Sequence, residues 1–303
     1  MNTSFCVALS ALILSHAIPL AGQSADVPRV VILGIDGLGT HNVWRDMYKG
    51  VPPPEIPNIE SLAATGAYSL HAGIDPLNFS GPNWMGMLTG SSSSEHGVES
   101  NACTRGAALP TIFEVLHDAF DQRTLAVVHE WDRIACYYEP TSVGLRIKTR
   151  DEHDTAQKVI DILTDDQVIF VFAHFDRLDA AGHEYGGNST EYKARMESID
   201  GEIGRILTAI RASPQAESTY VILTSDHGHR PDGGGHSSSE EPTPFIVNGP
   251  GVVPGEITAA VRNNQIAPLV AHIFGAVPSP EWSAPLTPFD AIVDRTPAGS
   301  TRR

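Results

Sequence analysis

Five short runs of apolar, largely β-branched residues are the feature that most constrains how this chain can fold. They are nearly continuous rather than alternating, which is the pattern of strands covered on both faces. The runs are Arg29–Ile35, Leu125–His129, Val168–Ala173, Tyr220–Thr224 and Pro244–Asn248. Segments with helical spacing separate several of them, namely Pro110–Phe120, Thr155–Leu163 and Tyr192–Ala212. Strands that alternate with helices predict a three-layer α/β/α sandwich around a largely parallel central sheet.

The sequence gives no sign of division into several domains. Its 303 residues are 41% hydrophobic, which is enough to bury a full core. We find no internal repeat, and the Pro-rich segment 51–57 is short enough to be a turn inside a domain. Residues 26–294 are therefore predicted to form one domain, followed by a polar tail at 295–303.

The first 25 residues are predicted to be a signal peptide. They contain no Asp, Glu, Lys or Arg, and an apolar run at 7–14 precedes small residues at 21–25. The usual basic residue near the start is missing, and an uncleaved membrane tether is the alternative. The apolar run is shorter than the ~20 residues that span a bilayer, and we expect no other transmembrane segment. The mature protein is thus expected to be secreted or periplasmic.

Two cysteines, Cys103 and Cys136, would remain after removal of the leader, since Cys6 lies within it. An exported protein can pair them in a disulfide, but two free thiols are equally compatible with the sequence.

The charge balance is acidic, with a formal net charge of −16. This argues against general binding of nucleic acids, because phosphate backbones require clustered Lys and Arg. It does not argue against a small phosphate-bearing substrate, since bound divalent metals would reverse the local sign of charge. The 13 His residues and the many carboxylates supply nitrogen and oxygen ligands for such metals.

Three of the predicted strands run directly into carboxylates. Asp36 follows the first strand, Asp176 and Asp179 follow the third, and Asp226-His227 follows the fourth. In open α/β sheets, ligands bind beyond the carboxyl ends of the strands. A single Asp at such an end is usually a turn or a helix cap. Three of them, two accompanied by His, predict a shared metal site instead.

Two spacings sharpen this prediction. Asp179 and His183 are four residues apart and can hold one cation if their segment is helical. His236 ends the Gly-rich run Asp232–His236, whose glycines would let the backbone fold closely around a metal. The alternative for this run is a loose loop that carries an unrelated His.

Ser80 is the candidate nucleophile. It precedes a helix-like segment, Trp84–Leu88. A hydroxyl at a helix N-terminus is most often a simple N-cap. A hydroxyl beside metal ions can instead act as a nucleophile, and the helix N-terminus would offer amide donors to a phosphate. The residue types alone do not decide between these roles.

A set of ordered motifs resembles the alkaline phosphatase superfamily, and most closely its type I phosphodiesterase/nucleotide pyrophosphatase branch. The resemblance extends over roughly 29–286. The motifs are Asp36-Gly37, Ser80-x-Pro82-Asn83, Thr89-Gly90, His96-Gly97, Asp179-x-x-Gly182-His183, Ser225-Asp226-His227-Gly228 and His236. One Asp-Gly pair would carry no information, whereas seven motifs in the same order are difficult to obtain by chance.

The resemblance implies an enzyme that hydrolyses small phosphate esters with two divalent metal ions, for which zinc is the expected identity. Ser80 would be the nucleophile and form a phosphoenzyme. The implied ligands of one metal are Asp179, His183 and His236. Those of the other are Asp36, Asp226, His227 and the oxygen of Ser80.

The resemblance also implies how the phosphate is bound. Asn101 matches an Asn that binds a non-bridging phosphate oxygen in the phosphodiesterase branch, where the nucleophile is usually Thr rather than Ser. Arg133 lies where some phosphomonoesterases carry a Lys-Asp-Arg triplet, but Trp131 replaces the Lys. Arg133 therefore either contacts phosphate or forms a surface salt bridge. We expect a phosphodiesterase, with a phosphomonoesterase as the alternative.

Three other classes of protein fit the sequence less well. Sulfatases of the superfamily need an Arg at the position of Trp84, so that chemistry is disfavoured. Phosphoglycerate mutases and phosphopentomutases carry insertions for which the chain has little room. A non-catalytic metal-binding member would show a gap in the ligand set, and the sequence shows none.

Overall fold

An eight-stranded sheet organises the residues that the computed structural model describes, 27–44 and 52–294. The predicted leader and the predicted polar tail lie outside these residues. The strands are β1 (Arg29–Ile35), β2 (Ala67–Ala72), β3 (Thr124–His129), β4 (Leu145–Lys148), β5 (Val168–Phe175), β6 (Thr219–Thr224), β7 (Thr243–Asn248) and β8 (Gly255–Glu256). Their order is β4-β3-β5-β1-β6-β7-β2-β8. The central strand β1 pairs in parallel with β5 and β6, as expected of a largely parallel sheet.

One predicted strand departs from the parallel arrangement. β7 runs antiparallel to both β6 and β2. A parallel neighbour needs a crossover connection, usually through a helix. The segment between β6 and β7, at 225–242, contains no helix, so the chain returns in the opposite direction.

Helices cover both faces of the sheet, which confirms the predicted three layers. They are α1 (Thr40–Val43), α2 (Pro57–Thr65), α3 (Ser80–Thr89), α4 (Ser93–His96), α5 (Ile112–Ala119), α6 (Glu152–Ile162), α7 (Arg177–Tyr185), α8 (Thr190–Ala212), α9 (Ile266–Phe274) and α10 (Phe289–Ile292). Successive side chains of β1 point to opposite faces of the sheet and belong to two separate hydrophobic cores. Val30 and Ile32 pack with α3, α5 and α9, whereas Val31 and Leu33 pack with α2, α6 and α8.

The strands that the sequence did not reveal lie toward the edges of the sheet. β4 alternates between half-buried and exposed residues, and β8 has two exposed residues. Such strands bury too few side chains to give a continuous apolar run. The helix expected at 84–88 is longer than predicted, because α3 begins at Ser80 itself.

A disulfide joins Cys103 to Cys136, which answers the question that the sequence left open. It ties the loop after α4 to the short 3-10 turn Asp132–Cys136 after β3. Within the described ranges, none of the helices combines the length and the apolar character needed to cross a bilayer.

Candidate metal centre

Three adjacent strands deliver the predicted carboxylates to one edge of the sheet. β5, β1 and β6 are neighbours, and their carboxyl ends lead into α7, Asp36 and Asp226-His227 respectively. The expected convergence is therefore confirmed. Two overlapping groups of Asp and His side chains result, which meet at His227, while His174 and Asp176 form a further group with Asp36.

The first group contains Asp36, Asp226 and His227, all buried. His227 Nε2 lies 3.4 Å from Asp36 Oδ1 and 3.2 Å from Asp226 Oδ2. The hydroxyl of Ser80 adjoins the same group, 3.2 Å from His227 Nε2 and 3.5 Å from Asp36 Oδ1. The structure thus brings together all four residues that the resemblance assigned to one metal.

This arrangement does not suit a Ser-His-Asp triad. A triad needs a carboxylate on the imidazole nitrogen that faces away from the serine. Here both carboxylates and Ser80 approach the same nitrogen, Nε2 of His227, and His227 Nδ1 has no hydrogen-bond partner among the described residues. Oxygen atoms that converge on one imidazole nitrogen match a cation site better.

The second group surrounds one carboxylate oxygen, Oδ1 of Asp179, with four imidazole nitrogens. Their Nε2 atoms lie at 2.9 Å for His229, 3.5 Å for His183, 3.8 Å for His236 and 3.9 Å for His227. Asp179 and His183 share α7, so the predicted helical spacing is correct. His236 Nε2 lies 3.2 Å from His183 Nε2. The three residues assigned to the other metal are therefore also close together.

His229 is a member of this group that the sequence analysis missed. Its ring is buried against α7, where a methyl group on Gly182 would stand 2.2 Å from its Cδ2 atom. Gly182 of the Asp179-x-x-Gly182-His183 motif is thus a glycine because His229 occupies the space of its side chain. The pattern Asp226-His227-Gly228-His229 was the available signal, since the second His follows two residues after the first.

The Gly-rich run does fold around the site. His236 Nδ1 donates to the carbonyl oxygen of Asn78 at 2.7 Å, which leaves a lone pair on Nε2. That nitrogen faces Asp179 and His183, and the His236 ring stacks on His227 with centroids 3.6 Å apart. The loose-loop alternative is wrong for His236.

Asp36 is oriented from behind by two side chains that the sequence analysis did not assign. Its Oδ2 accepts hydrogen bonds of 3.0 Å from Trp84 Nε1 and from His174 Nε2. These bonds leave Oδ1 to face Ser80 and His227. Trp84, which occupies the position of the sulfatase Arg, thus has a structural role of its own. His174 lies in β5, two residues before Asp176, and gave no separate signal, because its position fits a buried strand.

Burial and neighbouring charges shift the pKa values of these side chains in different directions. Burial raises the pKa of Asp226 well above its ordinary value, and the charge of Asp36 adds to this. Burial and the same charge raise the pKa of Asp176 to about 7. Burial would also raise the pKa of Asp36, but hydrogen bonds and the nearby imidazoles lower it instead. Burial lowers the pKa of His227 to about 4, which favours the neutral ring that binds metals.

These donors fit divalent cations. Asp226 Oδ2 is buried and lacks a hydrogen-bond partner among the described residues, although such an orphaned oxygen is costly without compensation. The Nε2 lone pair of His236 likewise points at acceptor groups. Imidazole nitrogens with carboxylate oxygens are the usual ligands of zinc. Both groups therefore have the chemistry of metal sites.

Of the two residues assigned to phosphate, Asn101 lies at the start of α3. Asn101 is exposed, and its Oδ1 accepts a 2.8 Å hydrogen bond from the backbone amide of Gly81, next to Ser80. The bond orients the amide group of Asn101 and leaves its NH₂ available. Arg133 is also exposed. Burial raises the pKa of Tyr137, and the charge of Arg133 partly opposes that rise.

An exposed aromatic ring stands on the other side of Ser80. Phe79 is 45% exposed, and its ring centroid lies 6.1 Å from that of His236. The side chain of Asn83 donates to the carbonyl oxygen of Phe79 at 3.0 Å and accepts from the amide of Asp75 at 2.8 Å. Asn83 of the Ser80-x-Pro82-Asn83 motif thus fixes the turn that presents both Phe79 and Ser80.

A parallel α/β/α sandwich with two Asp/His groups and a serine at the carboxyl edge of its sheet defines a metallohydrolase-like protein of the alkaline phosphatase type. Comparison with known sequences gives the family. Residues 30–232 match the model of the type I phosphodiesterase / nucleotide pyrophosphatase family. This is well over half of the chain, which belongs to that family.

Curated relatives match over shorter stretches. A 2,3-bisphosphoglycerate-independent phosphoglycerate mutase of Pyrococcus abyssi is 37% identical over 103 residues, which are 34% of this chain and 22% of the mutase. Ectonucleotide pyrophosphatase/phosphodiesterase family member 7 of Rattus norvegicus is 34% identical over 65 residues, 22% of this chain and 15% of that protein. The matches thus span about a quarter or less of these relatives' lengths.

Solved structures share the fold at low sequence identity. Murine ectonucleotide pyrophosphatase/phosphodiesterase 5, as an inactive variant in complex with AMP, has a TM-score of 0.72 at 12% identity. The match covers 88% of this chain and 100% of the murine one. A 2-O glycosaminoglycan sulfatase has a TM-score of 0.65 at 15% identity, covering 84% and 72% of the two chains. These similarities support the alkaline phosphatase-like fold.

Metal binding gives a first testable prediction. Since the folded protein binds the proton of Asp176 more tightly than the unfolded one, the metal-free protein should lose stability as pH rises from about 4 to about 7. Bound zinc should offset the destabilising effect of this buried negative charge. At saturating zinc near pH 8 we expect the melting temperature to rise by about 10 °C, and by much less near pH 5, where protons compete for the ligands.

The measurement is a set of thermal melts of chelator-treated protein with and without zinc at the two pH values. Magnesium at the same concentration is the control for ionic effects. An equal shift at both pH values, or none at either, would contradict the assignment of these groups as metal ligands.

Proposed function

We propose that this protein hydrolyses phosphodiesters, with two divalent metal ions and Ser80 as the nucleophile. One observation carries the proposal: the hydroxyl of Ser80 lies within 3.5 Å of both Asp36 and His227 in the first group, while its helix N-terminus and Asn101 adjoin it on the other side. A hydroxyl that would act as the nucleophile, side chains that would hold a metal ion and groups that would donate to a phosphate thus lie close together.

Each group has a proposed role. Asp179, His183 and His236 would hold one ion, and Asp36, Asp226 and His227 the other, with the Ser80 oxygen reaching the second. Zinc is the metal that this donor set favours. Two such ions would supply the positive charge that stabilises the ionised hydroxyl and the negatively charged phosphoryl group. Because their ligands lie within one cluster, the two ions would lie close together and would also orient the phosphate group of the substrate.

The proposed reaction has two displacements. The Ser80 hydroxyl gives up its proton, and its oxygen forms a bond to phosphorus as the bond to the leaving alcohol breaks, while that alcohol takes up a proton. The phosphoryl group on Ser80 keeps the second substituent of the diester. A water molecule then breaks the bond between the Ser80 oxygen and phosphorus, which releases a phosphate monoester and regenerates the hydroxyl. The first-turn amides of α3 and the NH₂ of Asn101 would donate hydrogen bonds to the phosphoryl oxygens. His174 and Trp84 would keep Asp36 oriented throughout.

The surroundings of the phosphate favour a diester over a monoester. A monoester dianion requires more positive charge at its non-bridging oxygens, commonly from an Arg or a Lys. Asn101 is uncharged, and Trp131 replaces the Lys of the phosphomonoesterase triplet. The exposed ring of Phe79 offers apolar contact to a substituent on the ester. A nucleoside or an aryl group would suit such a ring.

This preference gives a second prediction. We expect kcat/KM for a nitrophenyl diester to exceed that for the matching monoester by at least about tenfold at saturating zinc. Phe79→Ala should lower kcat/KM for the aryl diester by several-fold, because the ring loses apolar contact with the substituent. Initial rates on paired substrates measure both effects.

Arg133→Ala is the informative companion variant. If the wild type prefers the monoester and Arg133→Ala abolishes that preference, Arg133 binds the dianion and the protein is a phosphomonoesterase. If the variant leaves the substrate preference unchanged, Arg133 has no part in the choice. A wild-type protein that cleaves neither ester would contradict the proposed function itself.

A further inference from the structure

The hydroxyl of Tyr137 is buried beside the nucleophile and has no hydrogen-bond partner among the described residues. Tyr137 follows the 3-10 turn Asp132–Cys136 and is fully buried. Buried hydroxyls nearly always have partners, and a protein keeps an orphaned one at a cost in stability. The exception is explained if the hydroxyl has a hydrogen-bond partner in a ligand that binds to the protein.

The location of this hydroxyl indicates what the partner is. A methyl group on Gly81 would stand 2.7 Å from Tyr137 Oη and 2.4 Å from the carbonyl oxygen of Ser100. Gly81 is the residue after the nucleophile, and its amide donates to Asn101. The glycine therefore lets the phenol hydroxyl and the loop that carries Asn101 lie close to the residue that follows Ser80.

The hydroxyl is also held firmly and remains a donor. The Cys103–Cys136 disulfide joins the residue before Tyr137 to the loop that carries Asn101. Burial raises the pKa of Tyr137, and the negative charge of Asp36 raises it further. The phenol therefore keeps its proton at neutral pH. A rigid, protonated donor in a buried site is suited to stabilise a charge that arrives with a ligand.

We propose that Tyr137 is a substrate-binding residue whose hydroxyl donates a hydrogen bond to a non-bridging oxygen of the bound phosphoryl group. This inference rests on the proposed function, since it supplies a further donor to the same phosphate. The competing explanation is structural, with the phenol only filling space beneath α3. The binding role predicts that removal of the oxygen weakens catalysis and phosphate inhibition, whereas the structural role predicts that both stay unchanged.

Tyr137→Phe separates them, because it deletes the hydroxyl and keeps the ring. We expect kcat/KM to fall by about 10- to 100-fold, the range for a lost hydrogen bond to a charged group. The inhibition constant of inorganic phosphate should rise by a similar factor. The melting temperature and the zinc content should stay equal to those of the wild type or rise, because the orphaned hydroxyl is removed.

Tyr138→Phe is the matched control. Tyr138 is the next residue and is also buried, but its ring packs against Phe113, with centroids 5.3 Å apart. Its kinetic constants should match those of the wild type. A chiral phosphorothioate diester adds a readout that a structural role would not affect. Replacement by sulfur of the phosphoryl oxygen that Tyr137 binds should slow the wild type by a larger factor than it slows the Tyr137→Phe variant.

The outcomes distinguish failure of this inference from failure of the proposed function. If the wild type cleaves phosphate esters and Tyr137→Phe has the same kcat/KM and phosphate inhibition, the inference is wrong and the function stands. A lower melting temperature with unaltered phosphate inhibition would assign the hydroxyl a structural role and also overturn the inference. If the wild type cleaves no phosphate ester, the proposed function fails first.

Discussion

Ser80→Ala should abolish turnover, with kcat lowered by about 10³-fold or more on any phosphate ester that the wild type cleaves. Alanine keeps the helix-forming backbone of α3 but removes the side-chain oxygen that would carry the phosphoryl group. The residual rate would come from the metal ions and the phosphate donors alone. Initial rates at saturating substrate, together with zinc content measured on the same samples, test this expectation.

A matched serine variant shows that the loss is specific. Ser94 lies in α4, close to Ser80 in sequence, and is exposed. Ser94→Ala should retain wild-type rates. Acid quenching of the wild type during turnover of a diester should trap a phosphoryl group that still carries one ester substituent on the peptide that contains Ser80, visible by mass spectrometry. Full activity in Ser80→Ala would overturn the mechanism, even if the fold and the metal sites stand.

Asp179→Ala should remove one of the two metal ions and lower kcat/KM by about 100-fold or more, since even the loss of residues behind the ligands commonly reaches 10- to 100-fold. Asp179 Oδ1 is the atom around which four imidazoles gather. Without the carboxylate, neutral rings alone must attract the cation. Zinc stoichiometry by elemental analysis should fall from two to one per chain.

The control for this variant is Asp232→Ala, because Asp232 is an exposed carboxylate in the Gly-rich run that also carries His236. It should retain both ions and the wild-type rate. His229→Ala tests the residue that the sequence analysis missed. An intermediate loss of zinc affinity would identify His229 as a residue that orients Asp179. Normal stoichiometry and rate in Asp179→Ala would show that the second group is not a metal site.

The sequence by itself determined the layered fold and most of the candidate site. Continuous apolar runs specify buried strands because both faces of a central strand are covered, and this holds for β1, β5 and β6. The polar residues that end these strands, Asp36 and Asp226 among them, had to converge, because parallel neighbours end at the same edge of the sheet. The ligand spacing on α7 follows equally from helix geometry.

Only the tertiary structure decided which side chains support those ligands. His174 lies inside a buried strand, and His229 fills a space that exists because Gly182 lacks a side chain. Neither relation is visible along the chain, because each joins elements that are distant in sequence. The Cys103–Cys136 pairing likewise depends on the distance between two loops. Nor could the sequence reveal the orphaned hydroxyl of Tyr137, since whether a buried group has a partner depends on everything packed around it.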